Sequence, residues 1–160
     1  MQFKKVALFA SVAVLACLVM SATAMASDDP QTGTWKLNTA KSKYDPGPMP
    51  KSNTLTIVAD EKSYKVHAEG VDGQGKPTTA DFTAGFDGKD VPAKGIPYGD
   101  TVSLKRIDAN TVEVTMKKGG KALVTVTSVV SKDGKTRTST SHGKDEAGKD
   151  VHNVAVYDKQ

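Results

Sequence analysis

TVSLKRIDANTVEVTMKKGGKALVTVTSVV, residues 101–130, decides the fold class. Val102 and Leu104 alternate with polar neighbours, and Asp108-Ala109-Asn110 then turns the chain. Val112, Val114 and Met116 alternate next, followed by a turn at Lys118-Gly119-Gly120-Lys121. Leu123 to Val130 is rich in β-branched residues, with Val124, Val126 and Val130 on one face. A period of two sends successive side chains to opposite sides of a strand, one dry and one wet. No long helical period competes with it.

The same rhythm extends in both directions. Downstream, Asp133-Gly134 turns into a strand over Thr136 to His142, and a loop over Gly143 to Asp150 leads to a last strand, Val151 to Asp158. Upstream, Gly33 to Leu37 is a first short strand. Leu55 and Ile57 alternate with Thr54 and Thr56, and Tyr64, Val66 and Ala68 alternate with Lys65, His67 and Glu69. Asp60-Glu61-Lys62 is short enough to join those two runs as a hairpin. Ala80, Phe82, Ala84 and Phe86 share one face of a further strand. Pro46, Pro48 and Pro50 make residues 41–50 irregular, and Pro92 and Pro97 do the same for 91–100. About nine strands joined mostly by hairpins predict an all-β domain, an antiparallel up-and-down β-barrel, with a β-sandwich as the alternative.

One strand is unusual. Lys135 to His142 carries no large apolar residue on either face. An inner wall containing Arg137 and Ser139 would tolerate water, which predicts a partly polar cavity. The competing reading is a solvated hairpin projecting beyond the sheet.

The first 26 residues read differently. Lys4 and Lys5 precede an apolar run from Val6 to Met20, and small residues end in Ala24 and Ala26. These are the parts of a secretory signal peptide, so residues 1–26 are expected to be cleaved from a single domain at 27–160. That predicts a periplasmic or secreted bacterial protein. Val14-Leu15-Ala16-Cys17 also has the form of a lipobox, which makes a lipid anchor at Cys17 the alternative and the only expected membrane attachment.

Composition narrows the function classes. The 160 residues hold 22 basic and 18 acidic side chains, a net charge of +4. The leader takes Lys4 and Lys5 and no acid, leaving +2. The charges are interspersed and no basic cluster alternates with aromatics, so nucleic acid is not an expected partner. A single cysteine excludes an internal disulfide framework and a Cys-rich metal site.

At Gly33-Thr34-Trp35 the chain resembles the calycins, the lipocalins and fatty-acid-binding proteins, whose first strand opens with Gly-x-Trp. Val156-Tyr157-Asp158-Lys159 is similar to a fatty-acid-binding protein terminus, and the run from Thr101 to Thr138 fits that barrel's later hairpins. The resemblance implies a lipocalin-like barrel in which Trp35 closes one end, beneath a basic side chain such as Arg106 or Arg137, and which holds a small apolar ligand. It does not carry over the family's fatty-acid anchor, because Ala155 stands where the Arg two residues before the closing Tyr would be. Residues 41–50 replace the two helices of the intracellular branch.

The expected activity is therefore non-catalytic binding of a small hydrophobic or amphiphilic molecule by a monomer. Phe82, Phe86, Leu104, Val114 and Met116 are the apolar candidates for burying it, Tyr157 joins them from the closing strand, and Arg106 or Arg137 would orient a polar head group. A structural or interaction module of the envelope, with a filled core, is the alternative, and an enzyme is third.

Other constellations read more plainly. Ser141 and His142 are adjacent on a strand and point to opposite faces, so they form no nucleophile–base pair. Residues 70–75 are Gly-rich but lack the context of a phosphate loop and the alternating acids of a calcium loop. His142 and His152 flank the Gly143–Asp150 loop, where a hairpin would bring them together near Asp145, Glu146 and Asp150, a two-histidine arrangement. The simpler reading of His67, His142 and His152 is three solvated histidines, and no metal or cofactor is expected.

Overall fold

A computed structural model describes residues 29–160. The leader over 1–26 and the lipid-anchor reading of Cys17 lie outside the described residues. Among the described residues, ten antiparallel strands form one sheet: β1 Gly33–Leu37, β2 Ser52–Ala59, β3 Tyr64–Val71, β4 Pro77–Ala84, β5 Val91–Pro92, β6 Thr101–Arg106, β7 Thr111–Lys118, β8 Lys121–Val130, β9 Thr136–Lys144 and β10 Asp150–Lys159. Their order is β4-β3-β2-β1-β10-β9-β8-β7-β6-β5. Consecutive strands are neighbours, except that β4 and β5 stand at the two ends of the order, and β10 returns to pair with β1. The fold is an all-β, up-and-down, nearly closed barrel, compatible with a calycin-like architecture.

Nine strands are legible in the periodicity, and the tenth is the two-residue β5. Val91 and Pro92 pair with Val102 and Thr101 inside a stretch whose prolines and glycines suggest only irregular chain. Pro92 is tolerated there because β5 lies at the end of the strand order. A 3-10 turn, Thr39–Lys41, follows β1.

Closure runs through a seam between β4 and the chain around β5 and β6. Asp81 and Lys94 exchange two backbone hydrogen bonds of 2.9 Å, and Gly88 donates to the Leu104 carbonyl at 3.1 Å. The seam depends on Gly95. Its φ is +66°, and a Cβ built there would lie 1.9 Å from the Thr79 carbonyl oxygen. Gly95→Ala is therefore expected to destabilise the fold by about 2 kcal/mol. Urea unfolding would give the loss, and the Asp81 and Lys94 amides would exchange faster than those of the other strands.

The interior has a dry end and a wet end. Trp35, Leu104, Val112 and Val130 are buried at the dry end. Gln31 plugs it from the turn before β1. Its side-chain amide donates to the Asn110 carbonyl at 2.7 Å, and its backbone carbonyl accepts the Trp35 indole N–H at 3.1 Å. Towards the other end the inward positions change character. Leu55, Phe82, Met116 and Val126 are only partly buried.

Candidate ligand cavity

The partly buried side chains surround a cavity of about 580 Å³. This is within the size range of small-molecule sites. Two walls differ in chemistry. On one side β2, β3 and β4 present Leu55, Ile57, Val66, Ala68 and Phe82. Facing them, β8, β9 and β10 present Ser128, Arg137, Ser139, Ser141 and Asn153. The Pro46–Pro50 segment and Ile96–Tyr98 line the cavity from the loops.

The strand pattern explains the polar wall. In β9, Arg137, Ser139 and Ser141 share one parity and face the cavity, while Thr136, Thr138 and Thr140 occupy the other parity. β9 is paired along both edges, to β8 and β10, so it is a wall of the barrel and not a projecting hairpin. Ser128 of β8 stands opposite Ser139, and their hydroxyls lie 2.8 Å apart.

Arg137 is the centre of this wall. It is 3 % exposed. Its guanidinium donates to the Tyr64 hydroxyl at 2.8 Å and to the side-chain carbonyl of Gln31. Its Nε makes no hydrogen bond to protein. Both partners are neutral. Burial pushes the Tyr64 phenol above its ordinary value despite the attraction of Arg137, so the phenol keeps its proton at neutral pH. No Asp or Glu among the described residues forms an ion pair with Arg137. A buried cation without a counter-charge is costly, and an anion entering the cavity would offset that cost.

Tyrosines occupy other parts of the lining. Tyr157 stands opposite Arg137 in the β9–β10 register and donates to the Asn53 side-chain carbonyl at 3.3 Å. Burial, and then Tyr44, push its phenol well up. Burial likewise raises Tyr44. All three phenols therefore act as neutral hydrogen-bonding groups.

The candidates read from the sequence divide into two sets. Phe82, Val114, Met116, Arg137 and Tyr157 line the cavity. Phe86, Leu104 and Arg106 do not. Leu104 is fully buried in the packed end. Phe86 packs edge-on against Tyr64, with ring centroids 6.0 Å apart, and lies 4.0 Å beneath the Arg106 guanidinium. Arg106 is held by Asp29 at 2.6 Å and by the Asp60 carbonyl at 3.2 Å, so its charge is already balanced. Trp35 is fully buried, but the cation over its ring is Lys159, at 5.1 Å, in place of an arginine. Tyr64, Asn153 and Gln31 also belong to the site. Tyr64 and Asn153 carry the inward parity of β3 and β10, whereas Gln31 lies outside any strand and has no local signal.

The histidines also separate. His67 is half-exposed on the outer face, with Nδ1 2.7 Å from an Asp81 carboxylate oxygen. The hydrogen bond and charge of Asp81 raise its pKa above the ordinary histidine value. The expected NMR titration of His67 is shifted upward and reverts towards the ordinary value in Asp81→Asn. Because the folded-state pKa is the higher one, the pair's contribution to stability is full below the unfolded pKa. It fades as pH rises through the folded pKa.

No protein-family model matches the chain, and no curated protein matches it.

Proposed function

We propose that the protein is an exported, lipocalin-like carrier, periplasmic or secreted, that binds one small amphiphile without chemical change. The ligand would have an apolar body and an anionic group, best a carboxylate. The observation that carries this reading is Arg137: a buried guanidinium with only neutral partners at the wall of a 580 Å³ cavity. The apolar body would lie against Leu55, Val66, Phe82 and Met116, where each Å² removed from water contributes about 25 cal/mol. The anionic group would take bonds from Arg137 and Tyr64. The cavity favours this over an interaction module with a filled core, which would need no such space.

A fluorescent fatty-acid probe tests the proposal. It is expected to brighten on binding and to be displaced by a long-chain carboxylic acid at least tenfold more effectively than by the corresponding alcohol. Met116→Trp, which places an indole in the cavity, is expected to abolish probe binding while the circular dichroism spectrum stays that of the β-barrel. Failure of every acid to displace the probe, or equal displacement by acid and alcohol, would count against an anion-selective carrier.

A further inference from the structure

The outer face of the barrel carries a side-chain pair that the cavity does not use. In β10, the backbone N–H groups of His152 and Val154 point away from β9, donating to the carbonyls of Asp45 and Lys43 at 2.6 and 2.7 Å. His152 is opposite His142 of β9. The two therefore form a non-hydrogen-bonded antiparallel pair, the kind in which facing side chains stand closest. Both are exposed. Their rings cross at 71° with centroids 5.1 Å apart, and the two Nδ1 atoms are 3.0 Å from one another.

Two neutral imidazoles meet at that distance through a single N–H···N bond. It is also the bite of a chelate. Two imidazole nitrogens bound to one divalent cation at roughly 2.0–2.1 Å, and roughly 90–110° apart, are themselves roughly 2.8–3.4 Å apart. We propose that His142 and His152 together form a bidentate site for a borderline divalent transition-metal cation on the outside of the β9–β10 ladder.

The surroundings suit such an ion. The next pair along the ladder on the same face is Lys144–Asp150, whose ammonium and carboxylate lie 2.5 Å apart, so the charge of Lys144 is balanced. The pair on the other side, Thr140–Val154, carries no charge. Thr125 of β8 is opposite His142. The Lys43–Val154 bridge and the His152–Asp45 bond continue in one register, which puts exposed Asp45 across from His152. Among the described residues no third His, Asp or Glu joins the pair, so water completes the coordination. Imidazole donors rank the common cations with Cu²⁺ first and Ni²⁺ and Zn²⁺ after it. Nine consecutive residue pairs hold β9 against β10, so little ordering is needed to present both rings.

The test adds Zn²⁺ to the purified protein and follows the histidine ring signals by NMR. The His142 and His152 signals are expected to move together and saturate near one equivalent, while those of His67 stay in place. His142→Asn and His152→Asn are each expected to weaken Zn²⁺ binding at least tenfold, and His67→Asn to leave it unchanged. Both substituted positions are exposed, so the barrel should remain folded, as circular dichroism would register. Histidine signals that do not move at millimolar Zn²⁺ would overturn the proposal. So would a single variant that binds as tightly as the wild type. The site faces outward, so this result is independent of whether the cavity binds an acid.

Discussion

Arg137→Met is expected to lower the affinity for a carboxylate amphiphile by roughly 10- to 150-fold. Hydrogen bonds to a charged group contribute about 1.5–3 kcal/mol, which corresponds to that range. Met keeps much of the side-chain volume, so the apolar part of the site is preserved. Two effects on the ligand-free protein oppose one another. Removing a buried cation with no counter-ion relieves a desolvation cost of several kcal/mol. Removing it also takes a donor from the Tyr64 hydroxyl and from the Gln31 side-chain carbonyl, each costing about 1–3 kcal/mol. The two effects offset one another, so the net stability change should be smaller than either alone. Thermal unfolding with and without a saturating acid separates that change from the binding loss. The wild type should gain stability on adding the acid, and the variant should gain little. A variant that is stabilised as much as the wild type would remove the reason for assigning an anion to this cavity.

The same site predicts a pH profile. Burial holds the Tyr64 and Tyr157 phenols above their ordinary value, so neither ionises as pH rises from neutrality to about 9. Acid binding is expected to be flat over that interval. It should fall only below about pH 5, where the ligand's own carboxylate takes up a proton. Displacement titrations at a series of pH values would check this. A decline beginning near pH 7 would mean that a different group controls the charge of the site.

The barrel was legible because period-two alternation is a local property. Val112, Val114 and Met116 announce one inward face within five residues, and turns such as Lys118-Gly119-Gly120-Lys121 lie between paired strands. The polar wall was legible for the same reason: Arg137 and Ser139 share a parity in a strand without large apolar residues. What alternation cannot give is depth along the barrel. Leu104 and Met116 both face inward, yet one is packed at the closed end and the other lines the cavity. Nor does parity distinguish Arg106 from Arg137. Their difference comes from partners distant in sequence, Asp29 for one and Gln31 and Tyr64 for the other. The cation beside Tyr157 comes from the adjacent strand, and only the register of β9 against β10 reveals it.

Trp35→Ala should have the largest effect on stability, a loss of about 3–5 kcal/mol. The side chain is fully buried, and stabilities of whole domains are about 5–15 kcal/mol, so this one change removes a large share. A conservative replacement isolates its polar contribution. Trp35→Phe keeps an aromatic ring but loses the indole N–H that donates to the Gln31 carbonyl at 3.1 Å. That bond is one of several holding Gln31, whose side chain also bonds Asn110 and Arg137. Loosening Gln31 would leave Arg137 less firmly aimed, so Trp35→Phe is expected to weaken acid binding several-fold without touching the cavity. The chain of contacts makes a stricter demand on the double variant. If Trp35 acts on the ligand only through Gln31 and Arg137, then adding Trp35→Phe to Arg137→Met should weaken acid binding no further. Fully additive losses in that cycle would show that Trp35 reaches the ligand by another route, and the plug at the closed end would then have no part in orienting the guanidinium.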